Sequence, residues 1–117
     1  SGGFTFFVER VATLAGFRHF RANELTIENG RLTGGVRRPI LGREAKEAAL
    51  RQYAKETGVS LSAALAVGDG ANDLDMIAAA GFGVAYRAKP KVAAAADASV
   101  NHADLTALLF AQGISAA

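Results

Sequence analysis

The stretch AVGDGANDLDM, residues 66–76, decides the interpretation of this sequence. An apolar run ends at Val67, and Asp69, Asp73 and Asp75 then follow among small residues and one asparagine. In open α/β sheets, ligands bind beyond the carboxyl ends of the strands. Because Asp69 comes directly after a predicted strand, the stretch indicates a polar binding site at that end of a sheet.

Asp69 is a candidate ligand for Mg²⁺, since this hard cation binds carboxylate oxygens and retains several waters. Gly68 and Gly70 allow the backbone to turn sharply on either side of it. Taken alone, Asp69 would more often be a turn residue and Asp73 a helix N-cap. The complete string Gly-Asp-Gly-Ala-Asn-Asp after an apolar strand is more specific and favours a binding site.

Composition limits the remaining possibilities. A chain of 117 residues predicts one domain, residues 1–117. Its 13 basic and 11 acidic residues are too evenly balanced to indicate nucleic-acid binding. The apolar runs are too short for a bilayer, so we expect no membrane contact. Cysteine is absent, which fits a reducing compartment, and we expect a cytoplasmic location.

The hydrophobic pattern predicts an α/β fold. Strands that alternate with helices form mainly parallel sheets covered by helices, and Asn29-Gly30 between two short apolar runs predicts a β-hairpin. Helices are predicted at residues 4–15, 43–57, 74–80, 90–96 and 104–110. Strands are predicted at residues 17–23, 25–27, 31–33, 63–67, 82–86 and 99–100.

VGDGANDLDM resembles the last motif of the haloacid dehalogenase-like (HAD) phosphatases, and the phosphoserine phosphatase branch is the nearest match. Other stretches agree in the same order along nearly the whole chain. SGGFT at residues 1–5 is similar to the second motif, and LGREAKEAAL at residues 41–50 puts Lys46 at the lysine of the third. ANELTIENGRLTGGV, AYRAKPKV and HADL, at residues 22–36, 85–92 and 102–105, resemble the hairpin and later segments. The resemblance implies a partial HAD-like, Rossmann-like core.

The resemblance also assigns roles in binding a phosphate. Ser1 and the amide of Gly2 would hold phosphoryl oxygens, as a Gly-Gly loop that opens into a helix can do. Asn72 would donate a hydrogen bond to the phosphate. Lys46 would neutralise charge that develops in the transition state. Without the resemblance, Lys46 would be interpreted as a solvated helix lysine, and residues 1–3 as a loose terminus.

Two of the three aspartates of the central stretch, Asp69 and Asp73, receive different roles. Asp69 would bind Mg²⁺. Asp73 would lie behind it and orient Lys46 and the metal-bound waters. A local departure is Asp75, where many relatives have proline.

The first family motif, Asp-x-Asp-x-Thr or Asp-x-Asp-x-Val, is not found in residues 1–117. That motif supplies the nucleophile, the general acid/base and most of the metal site. The chain therefore resembles the C-terminal half of a catalytic core without its cap, and we expect it to be inactive alone. The nucleophile strand lies mid-sheet in the family. We expect the N-terminal half, as a separate polypeptide, or a second copy of the chain to fill that gap.

The implied function is Mg²⁺-dependent hydrolysis of O-phosphoserine to serine and phosphate in serine biosynthesis. The reaction would pass through an aspartyl-phosphate on a residue outside this chain. Two alternatives stay open at this point. The first is a HAD-like phosphatase or phosphotransferase for another small phosphomonoester. The second is a non-catalytic, receiver-like module in which an aspartate after a strand accepts phosphate.

Overall fold

The computed structural model describes residues 1–115. The chain divides into two compact units, Ser1–Gly42 and Arg43–Ala117, which we call the N-terminal unit and the C-terminal unit. None of the helices within the described residues has the length and apolar character that a membrane crossing requires. The assignment of residues 1–117 to one core domain stays a prediction.

The N-terminal unit consists of a helix followed by a hairpin. Helix α1 spans Thr5–Ala15 and ends at Gly16, whose φ of 79° is in the left-handed region. Strands β1, Leu25–Glu28, and β2, Arg31–Val36, pair antiparallel. The turn between them has positive φ at both Asn29, 51°, and Gly30, 74°, which suits a tight hairpin turn. The predicted hairpin is confirmed.

The predicted strand at residues 17–23 is wrong. Only Asn23 pairs in this segment, through an isolated parallel bridge with Phe4. A strand needs a neighbouring backbone along its length, and the described residues supply one at this single position. The buried Asn23 side chain instead holds the unit together, because its Oδ1 accepts from the Leu41 N–H at 2.6 Å and its Nδ2 donates to the Gly2 carbonyl at 3.2 Å.

The C-terminal unit is a three-stranded parallel sheet with helices between the strands. The strands are β3 (Leu65–Gly68), β4 (Phe82–Tyr86) and β5 (Ala98–Val100). Their order in the sheet is β3-β4-β5, with Val67 opposite Val84 and Ala85 opposite Ser99. The helices are α2 (Arg43–Thr57), α3 (Leu74–Ala79), α4 (Pro90–Ala95) and α5 (Ala107–Ala111). The predicted α/β fold with a parallel sheet and a hairpin is confirmed.

The core of the C-terminal unit forms where α3 and α4 pack near the central strand. Leu74, Ile77, Ala85 and Val92 form its buried cluster. Burying a side chain of the size of Ile77 contributes about 1.5–3 kcal/mol. Gly83 permits this packing, because a Cβ at that position would lie 2.4 Å from the Ile77 carbonyl oxygen. The close contact holds α3 against β4 at Ile77.

Candidate functional site

The loop after β3 wraps around the carboxylate of Asp73. Asp73 ends a short 3₁₀ turn, Ala71–Asp73, and its Oδ2 accepts from the backbone N–H of Asp69 at 3.0 Å and of Gly70 at 3.2 Å. A Cβ on Gly68 would lie 2.3 Å from the Asp73 Cβ. The last residue of β3 is therefore a glycine because the Asp73 side chain occupies the space beside it.

Lys46 approaches the same carboxylate from α2. Its Nζ donates to Asp73 Oδ1 at 2.6 Å, and the two side chains are 20% and 6% exposed, respectively. Charge-assisted hydrogen bonds of this length are stronger than neutral ones. Asp73 thus ties α2 to the loop after β3 through both of its oxygens.

The environment keeps Asp73 ionised. Burial acts to raise the pKa of Asp73, but the hydrogen bond from Lys46 and the two backbone N–H groups outweigh it, so the pKa is lowered from its usual value. Asp73 is therefore an anchoring anion at neutral pH. Asp73 does lie at the N-cap position of α3, but its side chain makes no capping hydrogen bond to that helix and instead accepts from residues that precede it.

The backbone of Asp69 is fixed by hydrogen bonds, whereas its side chain is accessible. Its N–H donates to Asp73 Oδ2, and its carbonyl accepts from the Lys89 N–H at 3.2 Å. Its carboxylate is exposed and has no hydrogen-bond or ion-pair partner within residues 1–115. The exposed side chain of Asn72 lies in the same loop. The C-terminal unit thus brings together Lys46, Asp69, Asn72 and Asp73.

Among the described residues, Asp69 can supply one oxygen ligand to a metal ion, but it does not belong to a complete set of ligands. No cluster of three or more His, Asp or Glu side chains that could hold a metal ion exists in the described part of the chain. Mg²⁺ is commonly bound through one or two carboxylates, with waters and substrate phosphates completing its sphere. A single exposed carboxylate at the end of a strand fits that pattern.

Ser1 and Gly2 belong to the N-terminal unit. The amino group of Ser1 donates to the Arg21 carbonyl at 2.8 Å, and its Oγ accepts from the Gly3 N–H at 3.0 Å. The Gly2 carbonyl accepts from the Asn23 side chain. These contacts hold the first residues against the segment before the hairpin. The predicted role of Ser1 and Gly2 in binding phosphoryl oxygens stays a prediction.

The sequence did not reveal two features around the site. The first is an ion pair between Arg43 and Asp75, with Nη2 and Oδ1 2.6 Å apart. The second is the hydrogen bond from the Lys89 backbone to Asp69. Arg43 lies three residues before Lys46 on α2, and this helical spacing was the available signal. The partner on α3 could be identified only from the packing of the two helices.

Residues 1–78 match the profile of the haloacid dehalogenase-like hydrolases. Over 115 residues the chain is 45% identical to phosphoserine phosphatase SerB2 of Mycobacterium tuberculosis. That alignment covers 98% of this chain and 28% of the relative.

Solved structures agree with the fold. A probable phosphoserine phosphatase from Vibrio cholerae, in unliganded form, superimposes with a TM-score of 0.86 at 42% identity. The match covers 97% of this chain and 37% of that one. A phospho-aspartyl intermediate analogue of phosphoserine phosphatase superimposes with a TM-score of 0.87 at 37% identity, over 98% of this chain and 54% of that one. The chain therefore spans between about a quarter and just over half of these proteins.

Proposed function

Because the chain belongs to the haloacid dehalogenase-like hydrolase family, we propose that it forms part of a phosphatase that hydrolyses O-phosphoserine to serine and phosphate. The observation that carries the proposal is the Lys46–Asp73 ion pair, held by the backbone N–H groups of Asp69 and Gly70. This arrangement fixes the Lys46 ammonium against Asp73, which is bonded to the backbone of the loop that carries the exposed Asp69 carboxylate after β3. The matching phosphoserine phosphatases support the choice of substrate.

Lys46 is the group that stabilises negative charge on the transferred phosphoryl group. A positioned cation lowers the barrier most when it faces charge that develops in the transition state. Asp73 holds Lys46 in place through the 2.6 Å contact and stays ionised at neutral pH, since its pKa is lowered. Asn72, Ser1 and the Gly2 amide donate hydrogen bonds to phosphoryl oxygens.

Asp69 is the proposed Mg²⁺ ligand in this chain. When bound, the cation would neutralise charge on the phosphoryl oxygens and so favour attack of a nucleophile on the phosphorus atom. Asp69 suits this role because its carboxylate is exposed while its backbone is held at both N–H and C=O. The other ligands would be waters, the substrate and residues outside the described part of the chain.

The nucleophile of the proposed reaction is an aspartate outside residues 1–117, which forms the aspartyl-phosphate. The similarity to a phospho-aspartyl intermediate analogue of phosphoserine phosphatase supports this step. We also propose that the complete enzyme acts in serine biosynthesis in the cytoplasm. The lack of cysteine in the sequence fits such a reducing compartment.

A further polypeptide segment is proposed to pair with β3. In the described sheet β3 lies at an edge, and its only neighbour is β4. Unpaired strand edges favour association with another chain or segment. The missing N-terminal half is the proposed occupant, and a second copy of this chain is the alternative. Light scattering of the purified 117-residue chain tests this, and a stable, well-folded monomer would contradict it.

Phosphate release from O-phosphoserine in the presence of Mg²⁺ tests the function. Residues 1–117 alone should release none. A chimera should restore turnover if the part of the M. tuberculosis relative that precedes the matched region is joined to Ser1. Lys46→Met in that chimera should remove most of the activity, while Lys55→Met, on the same helix, should retain it. Turnover by the pure chain would refute the proposed missing nucleophile.

Two other functions remain testable. Assays of the chimera with other small phosphomonoesters would detect a phosphatase or phosphotransferase with a different substrate. The exposed, unpartnered carboxylate of Asp69 directly after β3 is compatible with a receiver-like module. Labelling of Asp69 by acetyl phosphate would support that module, whereas Mg²⁺ binding without labelling would favour the phosphatase.

A further inference from the structure

A second ion pair joins the same two helices as Lys46 and Asp73. Arg43 Nη2 lies 2.6 Å from Asp75 Oδ1. Arg43 precedes Lys46 by three residues on α2, so the two cations lie on one face of that helix. Asp75 follows Asp73 by two residues, in the first turn of α3. Two cations on α2 therefore meet two carboxylates at the start of α3.

We expect the Arg43–Asp75 ion pair to affect which side chains pair with each other more than it affects the free energy of unfolding. The Arg43 and Asp75 side chains are 50% and 31% exposed, whereas those of Lys46 and Asp73 are 20% and 6% exposed. Exposed ion pairs contribute little to the free energy of unfolding. Asp75 is nevertheless a second carboxylate that faces α2, where its partner Arg43 lies three residues before Lys46. The Lys46 ammonium sits on a flexible four-carbon stem.

The other charged side chains described at this end of α2 form no ion pair with Asp75. Glu47 accepts from Arg51, with a contact of 2.8 Å between Oε1 and Nη2. Glu44, an acid in the first turn of α2, carries the same charge as Asp75 and cannot form an ion pair with it. Within the described residues, Arg43 is thus the cation that binds Asp75, and Lys46 is the next cation along the helix.

We propose that Arg43 is a positioning residue that determines which carboxylate Lys46 binds. By occupying Asp75, Arg43 leaves Asp73 as the carboxylate partner of Lys46. Without Arg43, one ammonium would be shared between two carboxylates, one of which lies away from the Asp69 loop. The effect on turnover rests on the proposed function, but the effect on Lys46 does not.

The proposal predicts that Arg43→Gln and Asp75→Asn have different effects on Lys46. If the ion pair only bridged the two helices, the two variants would have the same effect. Arg43→Gln frees Asp75 and should move Lys46 away from Asp73. Asp75→Asn breaks the same ion pair but also removes the competing carboxylate, so Lys46 should stay. The double variant should restore the wild-type position of Lys46. Arg51→Gln breaks a neighbouring pair on α2 and is the matched control.

The test uses nuclear magnetic resonance of the Lys46 ammonium in the 117-residue chain, with turnover of the chimera measured in parallel. Arg43→Gln should shift the Lys46 signal and lower kcat by about twofold or more, which is the loss expected when the ammonium spends half of its time or more away from Asp73. Asp75→Asn and the double variant should give near wild-type values. Urea midpoints would verify that all four variants fold.

Equal shifts of the Lys46 signal in Arg43→Gln and Asp75→Asn, without rescue in the double variant, would overturn the proposal. An unchanged Lys46 signal in Arg43→Gln would also overturn it. If the signals follow the predicted asymmetry while the wild-type chimera hydrolyses no phosphomonoester, the proposed function fails and the positioning role of Arg43 stands.

Discussion

The two units differ sharply in how they bury their apolar side chains. In the C-terminal unit, Ile77, Val84 and Val92 are the largest fully buried side chains of the described residues. In the N-terminal unit, Ala12 is the only apolar residue among those described that is buried. The N-terminal unit also contributes nine of the fourteen large hydrophobic side chains that are exposed, among them Phe7 and Leu14.

This difference means that the two units are stabilised by different interactions. The C-terminal unit packs α3 against its own sheet, so the Lys46–Asp73 pair has a rigid support. The N-terminal unit depends more on backbone pairing and on the hydrogen bonds of Asn23. We therefore expect substitutions in the C-terminal unit to have the larger effects on stability.

The largest expected effect is that of Ile77→Ala. Ile77 is 2% exposed, and removing a buried side chain of this size costs about 2–5 kcal/mol, because a cavity remains. Ile27→Ala is the matched control in the N-terminal unit, where the isoleucine is 63% exposed and the loss should be below about 0.5 kcal/mol. Urea unfolding followed by circular dichroism measures both. Similar losses for the two variants would remove the contrast between the units.

Gly68→Ala should have the next largest effect. The new methyl group would overlap the Asp73 side chain, and overpacking of this kind costs about 1–3 kcal/mol. It should also weaken the contact between Lys46 and Asp73. Gly42→Ala is the control in the N-terminal unit, since nothing lies within 4 Å of a Cβ there. A wild-type urea midpoint for Gly68→Ala would mean that Asp73 does not occupy the space beside β3.

The Asp73 carboxylate should make stability dependent on acid pH. Its pKa in the folded state lies below the ordinary value of 3.8, so the unfolded chain takes up the proton first as pH falls. The stabilisation is therefore complete above about pH 4–5 and is lost as pH falls through the lower, folded pKa. Asp73→Asn should flatten this part of the stability curve. A curve of unchanged steepness would contradict the lowered pKa.

The smallest expected effect concerns the exposed ion pair of the N-terminal unit. Arg37 and Glu24 are 3.0 Å apart, with side chains 71% and 51% exposed. Glu24→Gln should change the free energy of unfolding by less than about 1 kcal/mol, and the difference should shrink in high salt. Urea titrations at low and high ionic strength provide the measurement. A loss as large as that of Ile77→Ala would show that the N-terminal unit relies on charge.

The sequence predicted the elements whose signals are local. Asn29-Gly30 has the residues that a tight turn needs, and the hairpin followed. The strand prediction for residues 17–23 was wrong because strand formation depends on a neighbouring backbone, which the residues of the segment cannot reveal. The interpretation of Lys46 from local sequence was a solvated lysine. Its partner Asp73 lies 27 residues away, so only the resemblance or the fold could connect them.

The Asp69 carboxylate is the group on which the proposed chemistry depends most. The decisive measurement is Mg²⁺-dependent phosphate release from O-phosphoserine by the chimera with Asp69 and with Asp69→Asn. Asp69→Asn should lower turnover by roughly 10–100-fold or more at fixed Mg²⁺, with part of the activity recovered as Mg²⁺ is raised. Unchanged turnover with an unchanged dependence on Mg²⁺ would contradict it.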